Sequence, residues 1–332
     1  MEDLPQTMRS LVAPRARCTP ADYLIQDMPV PSIAMPTQVL MRMHAASVGP
    51  GNSKPWQASW ADLSRLTHVP ASLAPGFVSD YAVAEERFLL RKPPTMSWEE
   101  AAGAPGSVVT ALQTIRRGLQ LGGLENLEGK TVFVPAGLGA TGSVAIQVAK
   151  NVFGAARIIT TVSTAKVPLV ERYLPGMVDQ VIDYQTQKIQ DVVPPGSVDF
   201  MYNTTFATLD DGIPLLNPTT GILMSIASLP SKAVAREIVG ADRFPWLLGA
   251  VLDLLQLQYW WKLRGTGIRY EFVSGGPQIR EDLEWAGEVV ARGKVKPVVT
   301  SVDFDDLPAV QKGCEATRTG KGGIGKFAMR IK

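Results

Sequence analysis

The chain has 332 residues, of which 45% are hydrophobic and 19% are charged, so it holds enough apolar side chains for a large core. A chain of this size predicts two domains rather than one, and the composition excludes disordered, collagen-like and disulfide-scaffold proteins. The 33 basic and 31 acidic residues leave a net charge of +2, so no overall basic field favours a nucleic-acid partner.

The two cysteines and two histidines are too few for a structural zinc site. Cys18 and Cys314 lie near opposite ends of the sequence, and neither has a Cys or His at the spacing of metal ligands. His44 and His68 leave few places for histidine-based chemistry. The chain is therefore predicted to bind no metal.

The first residues, MEDLP, lack the basic segment and the apolar segment of a secretory signal. The longest apolar stretch, residues 246–261, is interrupted by Asp253 and is too short to cross a bilayer. These features predict a cytoplasmic protein without a transmembrane segment. A mitochondrial location stays open, because Arg9, Arg15 and Arg17 give the beginning of the chain a basic character.

Strands and loops are predicted before residue 90. Residues 39–47 alternate loosely between apolar and polar and predict one strand, in which His44 is expected to be buried with a partner. Glycines and prolines mark residues 49–76 as a loop, and residues 79–84 predict another strand.

A helix start is predicted at Ser97, because Glu100 stands at the position of a capping box. The helical pattern resumes over residues 108–119. From residue 129 onward strands alternate with helices, which predicts an α/β fold with a parallel sheet covered on both faces. The predicted strands are 131–134, 157–162, 180–182, 198–202 and 221–226, and the predicted helices are 143–152 and 165–174.

The segment 244–261, FPWLLGAVLDLLQLQYWW, combines large aromatic side chains with leucines. We interpret it as a helix packed in the core. A lid over an apolar substrate and a surface helix that touches a membrane or a partner subunit are the alternatives. The elements predicted after it are a strand at 269–273, a helix at 278–292, a strand at 298–304, a helix at 306–317 and a strand at 327–331.

A glycine-rich turn gives the clearest functional pattern. Gly137, Gly139 and Gly142 form G-x-G-x-x-G directly after the strand 131–134 and directly before the helix that begins at Ser143. We expect the first glycine to permit the tight turn, the second to let a pyrophosphate approach, and the third to let helix and strand pack closely. The pattern predicts a dinucleotide-binding domain.

The polar end of the next strand indicates which dinucleotide is bound. Sites specific for NAD place an Asp or Glu there, to hold the ribose 2′-hydroxyl. In this chain Ser163 and Lys166 follow the strand, and no carboxylate occurs before Glu171. Hydroxyl and ammonium groups suit a 2′-phosphate, so NADPH is the predicted cofactor.

Several stretches occur in the order found in a known family. They are VLMRMHAASVGP at 39–50, FVSDYAVAEE at 77–86, SWEEAAGAPGSVVTA at 97–111, residues 130–150, VIDY at 181–184, GKVKP at 293–297 and residues 325–331. With them the chain resembles the zinc-independent quinone oxidoreductase and enoyl reductase branch of the medium-chain dehydrogenase/reductase superfamily, and its fungal members most closely.

The resemblance implies a Rossmann domain and a GroES-like, mostly β catalytic domain. Residues 108–265 would form the Rossmann NADPH-binding domain, and residues 1–107 with 266–332 the discontinuous catalytic domain. The family's glycine-rich motif is missing from residues 51–76, which implies a shortened catalytic domain. Gly49 replaces the asparagine that precedes Pro50 in the family, which removes an amide near the substrate.

The resemblance also implies cofactor contacts and a homodimer that pairs sheet edges of the Rossmann domain. Phe272, on a late strand, is expected beside the nicotinamide, and the glycine turn adds Gly137 and Gly142. The contacts carried over from the family are Thr110, Gly139, Ala140, Thr141, Ser163, Lys166, Tyr184, Asn203, Ala227 and Lys326.

The expected reaction is zinc-free hydride transfer from NADPH to a quinone or an α,β-unsaturated carbonyl, a small apolar electrophile. Zinc is not needed when the acceptor is already electrophilic. Tyr81 and Tyr202 are candidate proton donors by residue type alone. The alternative is a catalytically impaired NADPH-binding paralogue or redox sensor, since the catalytic domain is shortened.

Overall fold

The computed structural model describes residues 4–15, 18–49, 78–239, 244–321 and 323–331, except for the side chains of residues 237–239. The predicted loop at 49–76 therefore lies, apart from Gly49, outside the described residues. The chain forms two units, which we call the β unit and the α/β unit. The β unit comprises Met1–Pro105, Gln278–Glu284 and Pro297–Lys332, and the α/β unit comprises Gly106–Pro277 and Trp285–Lys296.

The described strands and α-helices are numbered in chain order. The strands are β1 (Thr7–Val12), β2 (Leu24–Pro29), β3 (Gln38–Arg42), β4 (Ala45–Val48), β5 (Tyr81–Glu85), β6 (Thr131–Val134), β7 (Arg157–Val162), β8 (Gln180–Asp183), β9 (Phe200–Asn203), β10 (Ile222–Ser225), β11 (Arg269–Phe272), β12 (Val299–Asp303) and β13 (Lys326–Arg330). The helices are α1 (Trp98–Gly122), α2 (Gly142–Asn151), α3 (Val167–Tyr173), α4 (Ile189–Val192), α5 (Leu209–Gly212), α6 (Lys232–Val239), α7 (Trp246–Leu263), α8 (Arg280–Ala291) and α9 (Leu307–Thr319).

A six-stranded parallel sheet forms the centre of the α/β unit, in the order β11-β10-β9-β6-β7-β8. Strands β9 and β10 are buried at every residue, as a parallel sheet covered on both faces requires. The strand order reverses between β6 and β9, which is the switch point where this class of fold binds its ligands. The predicted doubly wound α/β fold is confirmed.

Apolar side chains from the centre of this sheet form one continuous core cluster. Phe133, Ile159, Met201 and Leu223 come from four different strands and are all buried within it. Helix α2 buries eight of its ten residues, from Gly142 to Ala149. The turn that precedes α2 is therefore followed by a helix that is packed closely in the core.

Strand β11 belongs to the α/β unit, because Arg269–Phe272 pair in parallel with β10 as the edge of the sheet. The sequence predicts instead that residues 269–272 belong to the catalytic domain. Backbone pairing with β10 is the physical reason for the different assignment, and it is not visible in the local sequence.

Helix α1 is continuous, although two helical segments are predicted from the sequence. Ser97 and Glu100 form the predicted capping box, with reciprocal bonds of 3.1 Å and 2.9 Å between side chain and backbone. Pro105 lies inside the helix, where it removes one backbone donor. Burial of the following apolar residues, among them Val108 and Leu112, outweighs that local cost.

The β unit contains a three-stranded sheet in the order β12-β13-β4 and two strand pairs, β1-β2 and β3-β5. One core cluster lies on the three-stranded sheet and includes Phe304, Val310 and Met329. The pair β1-β2 is not predicted by the sequence analysis. The unit is mostly β, and its GroES-like character stays a prediction.

The single strand predicted at 39–47 is wrong. The structure has β3 and β4 there, because β3 pairs with β5 and β4 pairs with β13 in a different sheet. His44 lies between them, so it is not in a strand. Its half-buried ring stacks on Trp98, with 4.2 Å between ring centroids.

Helix α7 does not have the core position predicted for the segment 244–261. Only Gly249, Leu252 and Tyr259 are buried, whereas Trp246 is 79% exposed and Trp261 is 63% exposed. Among the helices that the structure describes, none has both the length and the hydropathy that crossing a bilayer requires.

Candidate functional site

The glycine-rich turn joins β6 to α2, as the sequence predicts. A Cβ on Gly142 would lie 2.3 Å from the carbonyl oxygen of Ala136, so only glycine lets the start of α2 come this close to the turn. A Cβ on Gly137 would lie 2.2 Å from Oγ1 of Thr160 on the neighbouring strand. The third glycine therefore serves close packing, in agreement with its expected role.

The expected role of the first glycine is corrected by the backbone angles. Ala136, not Gly137, has the left-handed conformation that turns the chain, with φ of 53°. Gly137 is needed because Thr160 leaves no room for a side chain. The amide of Gly139 donates to the carbonyl of Ala136 at 2.8 Å, and its Cα is half-exposed on the turn.

Strand β7 holds this turn through three hydrogen bonds. Thr160 Oγ1 donates to the carbonyl of Val134 at 2.6 Å, and Thr161 Oγ1 accepts from the amide of Ala136 at 3.1 Å. The Gly137 amide donates to the Thr161 carbonyl at 3.2 Å. Neither threonine is among the site residues predicted from the sequence, although two adjacent threonines near the end of a buried strand could have indicated this role.

The turn presents donors to a ligand. The backbone N–H groups of Ala140 and Thr141 donate to no other residue that the structure describes. They precede the N-terminus of α2, where the helix dipole favours an anion. Ser143 Oγ is buried there and has no hydrogen-bond partner among the described residues. These groups fit a pyrophosphate.

The carboxyl end of β7 carries the two residues predicted to hold a 2′-phosphate. Ser163 precedes a 3₁₀ turn, Thr164–Lys166, that is closed by a bond of 2.8 Å from the Lys166 amide to the Ser163 carbonyl. Lys166 is half-buried, and burial lowers the pKa of its ammonium group. Tyr184 is 60% exposed, and its amide donates to the carbonyl of Val162 at 3.1 Å. Tyr184 thus lies at this same strand end.

A carboxylate that the sequence analysis did not consider lies at this end of the sheet. Asp183 ends β8 directly opposite Val162, the last residue of β7. The side chain of Thr164 donates to the Asp183 carboxylate, which is the main reason that the pKa of Asp183 is lowered. Reading along β7 alone finds no acid before Glu171, because Asp183 comes from the adjacent strand.

The carboxyl end of β9 offers a second unpaired polar group. The fully buried amide Nδ2 of Asn203 donates to Oγ of Ser225 at 3.0 Å and to the carbonyl of Ala227 at 3.3 Å. Because a carbonyl only accepts, the amide orientation is fixed, and Oδ1 is left without a partner among the described residues. Thr204, the next residue, donates to the carbonyl of Pro135 at 2.6 Å. Asn203 therefore lies beside the glycine turn.

Thr110 and Phe272 lie in the same unit. Phe272 is the half-buried last residue of β11. A Cβ on Gly275, three residues later, would lie 2.6 Å from Cα of Thr110, so α1 contacts the chain just after this strand. The Thr110 hydroxyl donates to the carbonyl of Gly106 at 2.7 Å.

Most of the predicted contacts follow the carboxyl ends of the six parallel strands, which lie along one edge of the sheet. The glycine turn and Asn203 stand on the two sides of the switch point between β6 and β9. The residues at this edge, in sheet order, are Phe272 after β11, Ala227 after β10, Asn203 at β9, the turn with Gly137, Gly139, Ala140, Thr141 and Gly142 after β6, Ser163 and Lys166 after β7, and Tyr184 after β8.

Two predicted residues belong to the β unit. Lys326 begins β13, and burial lowers its pKa. Tyr81 begins β5 opposite Arg42 and is half-buried. Their roles in binding and in proton transfer stay predictions.

Tyr202 is placed where it has no access to a substrate. Its side chain on β9 is fully buried, and burial raises the pKa of its hydroxyl. The Thr114 hydroxyl is the polar group beside it and partly opposes that rise. Neither hydroxyl reaches hydrogen-bond geometry with a described residue. Because its hydroxyl is buried and has a raised pKa, Tyr202 does not serve as a proton donor to a substrate.

No group of three or more His, Cys, Asp or Glu side chains that suits a metal ion occurs in the described part of the chain. Cys314 is buried in the β unit, where burial raises its pKa to about 11. Zinc independence stays a prediction.

Several known proteins are similar to this chain. A family model described as zinc-binding dehydrogenase matches residues 177–321. The 2-methylene-furan-3-one reductase of Solanum lycopersicum is 34% identical over 129 residues, which are 39% of this chain and 30% of that protein. The chloroplastic NADPH-dependent alkenal/one oxidoreductase of Arabidopsis thaliana is 35% identical over 128 residues, with the same coverage of 39% and 30%. The structure of the quinone oxidoreductase from Coxiella burnetii matches with a TM-score of 0.72 and 18% identity, over 98% of this chain and 100% of that one.

The chain is thus similar in part to a zinc-binding dehydrogenase model and to plant enone and alkenal/one oxidoreductases, and it shares its fold with a quinone oxidoreductase. The matches to the two plant enzymes span 30% of the length of each enzyme. Residues 177–321, which match the zinc-binding family model, contain a single cysteine, Cys314, and no histidine. The matched segment therefore offers one cysteine sulfur and no histidine nitrogen as ligands of the kind that zinc prefers.

Proposed function

We propose that this protein is a quinone oxidoreductase-like member of the medium-chain dehydrogenase/reductase superfamily, an NADPH-dependent oxidoreductase that transfers hydride to a quinone or an α,β-unsaturated carbonyl without zinc. One observation carries the proposal: the glycine turn stands at the switch point of a doubly wound sheet, with unpaired donors at a helix N-terminus. Buried Ser143 Oγ and Asn203 Oδ1, without partners in the described chain, are the further groups that suit a polar ligand there.

The edge of the sheet has a suitable residue for each part of the coenzyme. The amides of Ala140 and Thr141 would bind the pyrophosphate, which Gly139 lets approach because it has no side chain, and Gly137 and Gly142 keep this turn closed against β7 and α2. Ser163, Lys166 and Tyr184 would hold the adenosine phosphate. The nicotinamide half would be held by Thr110, Asn203, Ala227 and Phe272.

The choice of NADPH over NADH rests on two opposing charges near the end of β7. Lys166 favours a 2′-phosphate, whereas a carboxylate would repel it. The hydrogen bond from the side chain of Thr164 lowers the pKa of Asp183, so this carboxylate stays ionised and opposes a 2′-phosphate. Lys166 is the group here that favours the phosphate, and we assign the discriminating role to it.

When bound, the nicotinamide supplies the hydride. The chain's own work is to orient the coenzyme and to keep water away from it, which the sheet edge achieves through buried positions such as Asn203. The proposed substrate class is supported by the similarity to a 2-methylene-furan-3-one reductase, to an alkenal/one oxidoreductase and to the quinone oxidoreductase structure. Such acceptors take hydride at carbon without Lewis-acid activation, so a zinc site is not needed.

The test is NADPH consumption by the purified full chain with a panel of ortho-quinones and enones, with coenzyme affinity measured by calorimetry. Turnover with at least one acceptor supports the proposal. Tight NADPH binding without turnover of any acceptor would favour the alternative, a coenzyme-binding paralogue or sensor. Failure to bind either NADPH or NADH would refute both.

We also propose that the enzyme is a cytoplasmic homodimer. Strand β11 is an edge of the six-stranded sheet, paired on one side only by β10 within the described residues. An unpaired parallel edge is suited to pairing with a second copy. Sedimentation equilibrium of the purified protein tests the dimer.

A further inference from the structure

Helix α7 carries an unusual concentration of exposed apolar side chains. Of the 18 large hydrophobic residues that are exposed in the described chain, eight lie on this one helix. Six of them spread over about 140° of the helix circumference at 100° per residue. We call these six the apolar face: Trp246, Leu247, Val251, Leu254, Leu257 and Trp261.

The opposite side of α7 is firmly held, so the exposure of the apolar face is not the result of a loose helix. Tyr259 is buried, and its hydroxyl accepts from the amide of Leu229 at 3.0 Å. Gln256 Nε2 donates to the carbonyls of Leu229 and Pro230 at 2.9 Å and 3.0 Å. The ring of Tyr259 also lies 4.9 Å from that of Tyr270 on β11.

Two ion pairs and one further cation lie around the apolar face. Asp253 is the one acid on α7; at 100° per residue it lies at the margin of the face, between Trp246 and Trp260, and it is 3.8 Å from the ammonium of Lys232. At the other end, Lys262 is paired with Asp210 at 2.5 Å. Arg264 forms no ion pair with a described residue, and its guanidinium lies 5.3 Å from the ring centroid of Trp261. Arg264 is therefore the additional cation beside the C-terminal end of the face.

Tryptophan stands at both ends of the helix, at Trp246 and at Trp260 and Trp261, with leucines and valine between them. Tryptophans at the margins of an apolar stretch, with a cation next to them, are typical of segments that lie at the boundary between lipid headgroups and acyl chains. A length of 18 residues gives a rod of about 27 Å, and its hydropathy is below that of a membrane span.

We propose that α7 docks this protein on the surface of an anionic lipid bilayer, with the helix axis parallel to the membrane and the apolar face among the acyl chains. Arg264 then meets the headgroup phosphates. With Asp253 paired to Lys232, the additional cation Arg264 beside the face is complementary to a negatively charged surface.

The test is flotation of the full chain with vesicles of phosphatidylcholine, with and without about 30% phosphatidylserine. The wild-type protein is expected to float with the anionic vesicles. Leu254→Glu places a charge at a position that is 66% exposed, so folding is preserved while the vesicle-bound fraction falls about tenfold or more. Ile33→Glu, at a 53% exposed position in the β unit, is the matched control and is expected to float like the wild type.

Each other outcome overturns the proposal. Wild-type protein that stays unbound with both kinds of vesicle excludes a lipid surface. Equal losses for Leu254→Glu and Ile33→Glu show that α7 is not the docking element. A dimer that Leu254→Glu converts to a monomer in sedimentation identifies a second copy as the occupant. NADPH consumption is measured alongside and is expected to be the same in all three proteins, so the result is independent of the proposed catalysis.

Discussion

Helices α2 and α7 both carry apolar side chains and belong to the same unit, but they differ completely in exposure. Helix α2 buries eight of its ten residues against the sheet, whereas α7 buries three of its eighteen. The apolar residues of α2 complete the core and fix the turn in front of it. Those of α7 contribute little to the core, so their retention at the surface indicates a role outside folding.

The largest expected effect is a difference in stability between variants of α2 and α7. Ile146→Ala in α2 removes a fully buried side chain beneath the glycine turn and is expected to lower the free energy of unfolding by about 2–5 kcal/mol. Leu254→Ala in α7 removes a 66% exposed side chain and is expected to change it by no more than about 0.5 kcal/mol. Urea denaturation of both variants measures the difference. Equal losses would mean that α7 is part of the core after all.

A smaller effect is expected for coenzyme binding when the turn is disturbed. Gly142→Ala places a Cβ 2.3 Å from the Ala136 carbonyl and must displace backbone, so NADPH affinity is expected to fall about 10- to 100-fold. Gly106→Ala is the matched control, because a Cβ there meets nothing within 4 Å in helix α1. Calorimetric titration with NADPH compares the two. An unchanged affinity in Gly142→Ala would remove the turn from the coenzyme site.

Coenzyme discrimination is expected to change by about tenfold. Lys166→Ala removes the cation at the end of β7 and should weaken NADPH binding about tenfold while NADH binding stays the same. Lys188→Ala, an exposed lysine before α4, serves as the control and should leave both affinities unchanged. If the two coenzymes lose affinity equally in Lys166→Ala, the lysine does not read the 2′-phosphate.

The smallest effect is a pH dependence of that discrimination. Burial lowers the pKa of Lys166 below the ordinary value of 10.5, so the free protein loses this charge at a lower pH than a solvent-exposed lysine would. The ratio of NADPH to NADH affinity should therefore decline as the pH rises on the alkaline side. Lys166→Arg keeps its charge and should make the ratio constant over the same range. A ratio that declines in the arginine variant as well would assign the titration to another group.

The sequence alone predicts much of the α/β unit, because its elements are short, regular and punctuated by turns. The bounds predicted for β6 and β7 match the structure, and the capping box at Ser97 forms as predicted. Buried parallel strands appear as uninterrupted apolar runs, and G-x-G-x-x-G has a strict local context. The order of elements then gives the fold and places the turn at the edge of the sheet.

The features that the sequence does not predict depend on residues that are distant along the chain. Strands β3 and β4 are read as one because their separation depends on pairing with β5 and β13. The proximity of Asp183 to Thr164 arises from the pairing of β7 with β8. The exposure of α7 is hidden because a helix that is apolar on all sides has no periodicity to indicate its outer face.

Ala136 has a consequence for engineering this protein. It is the one non-glycine residue in the described chain with a positive φ, and an L-residue in that conformation raises the energy of the native fold by about 1–2 kcal/mol. Ala136→Gly releases that strain, partly offset by the greater freedom that glycine gives the unfolded chain. We therefore expect Ala136→Gly to raise the free energy of unfolding by about 1 kcal/mol, at a position that has no assigned ligand contact. A higher melting temperature would measure this gain.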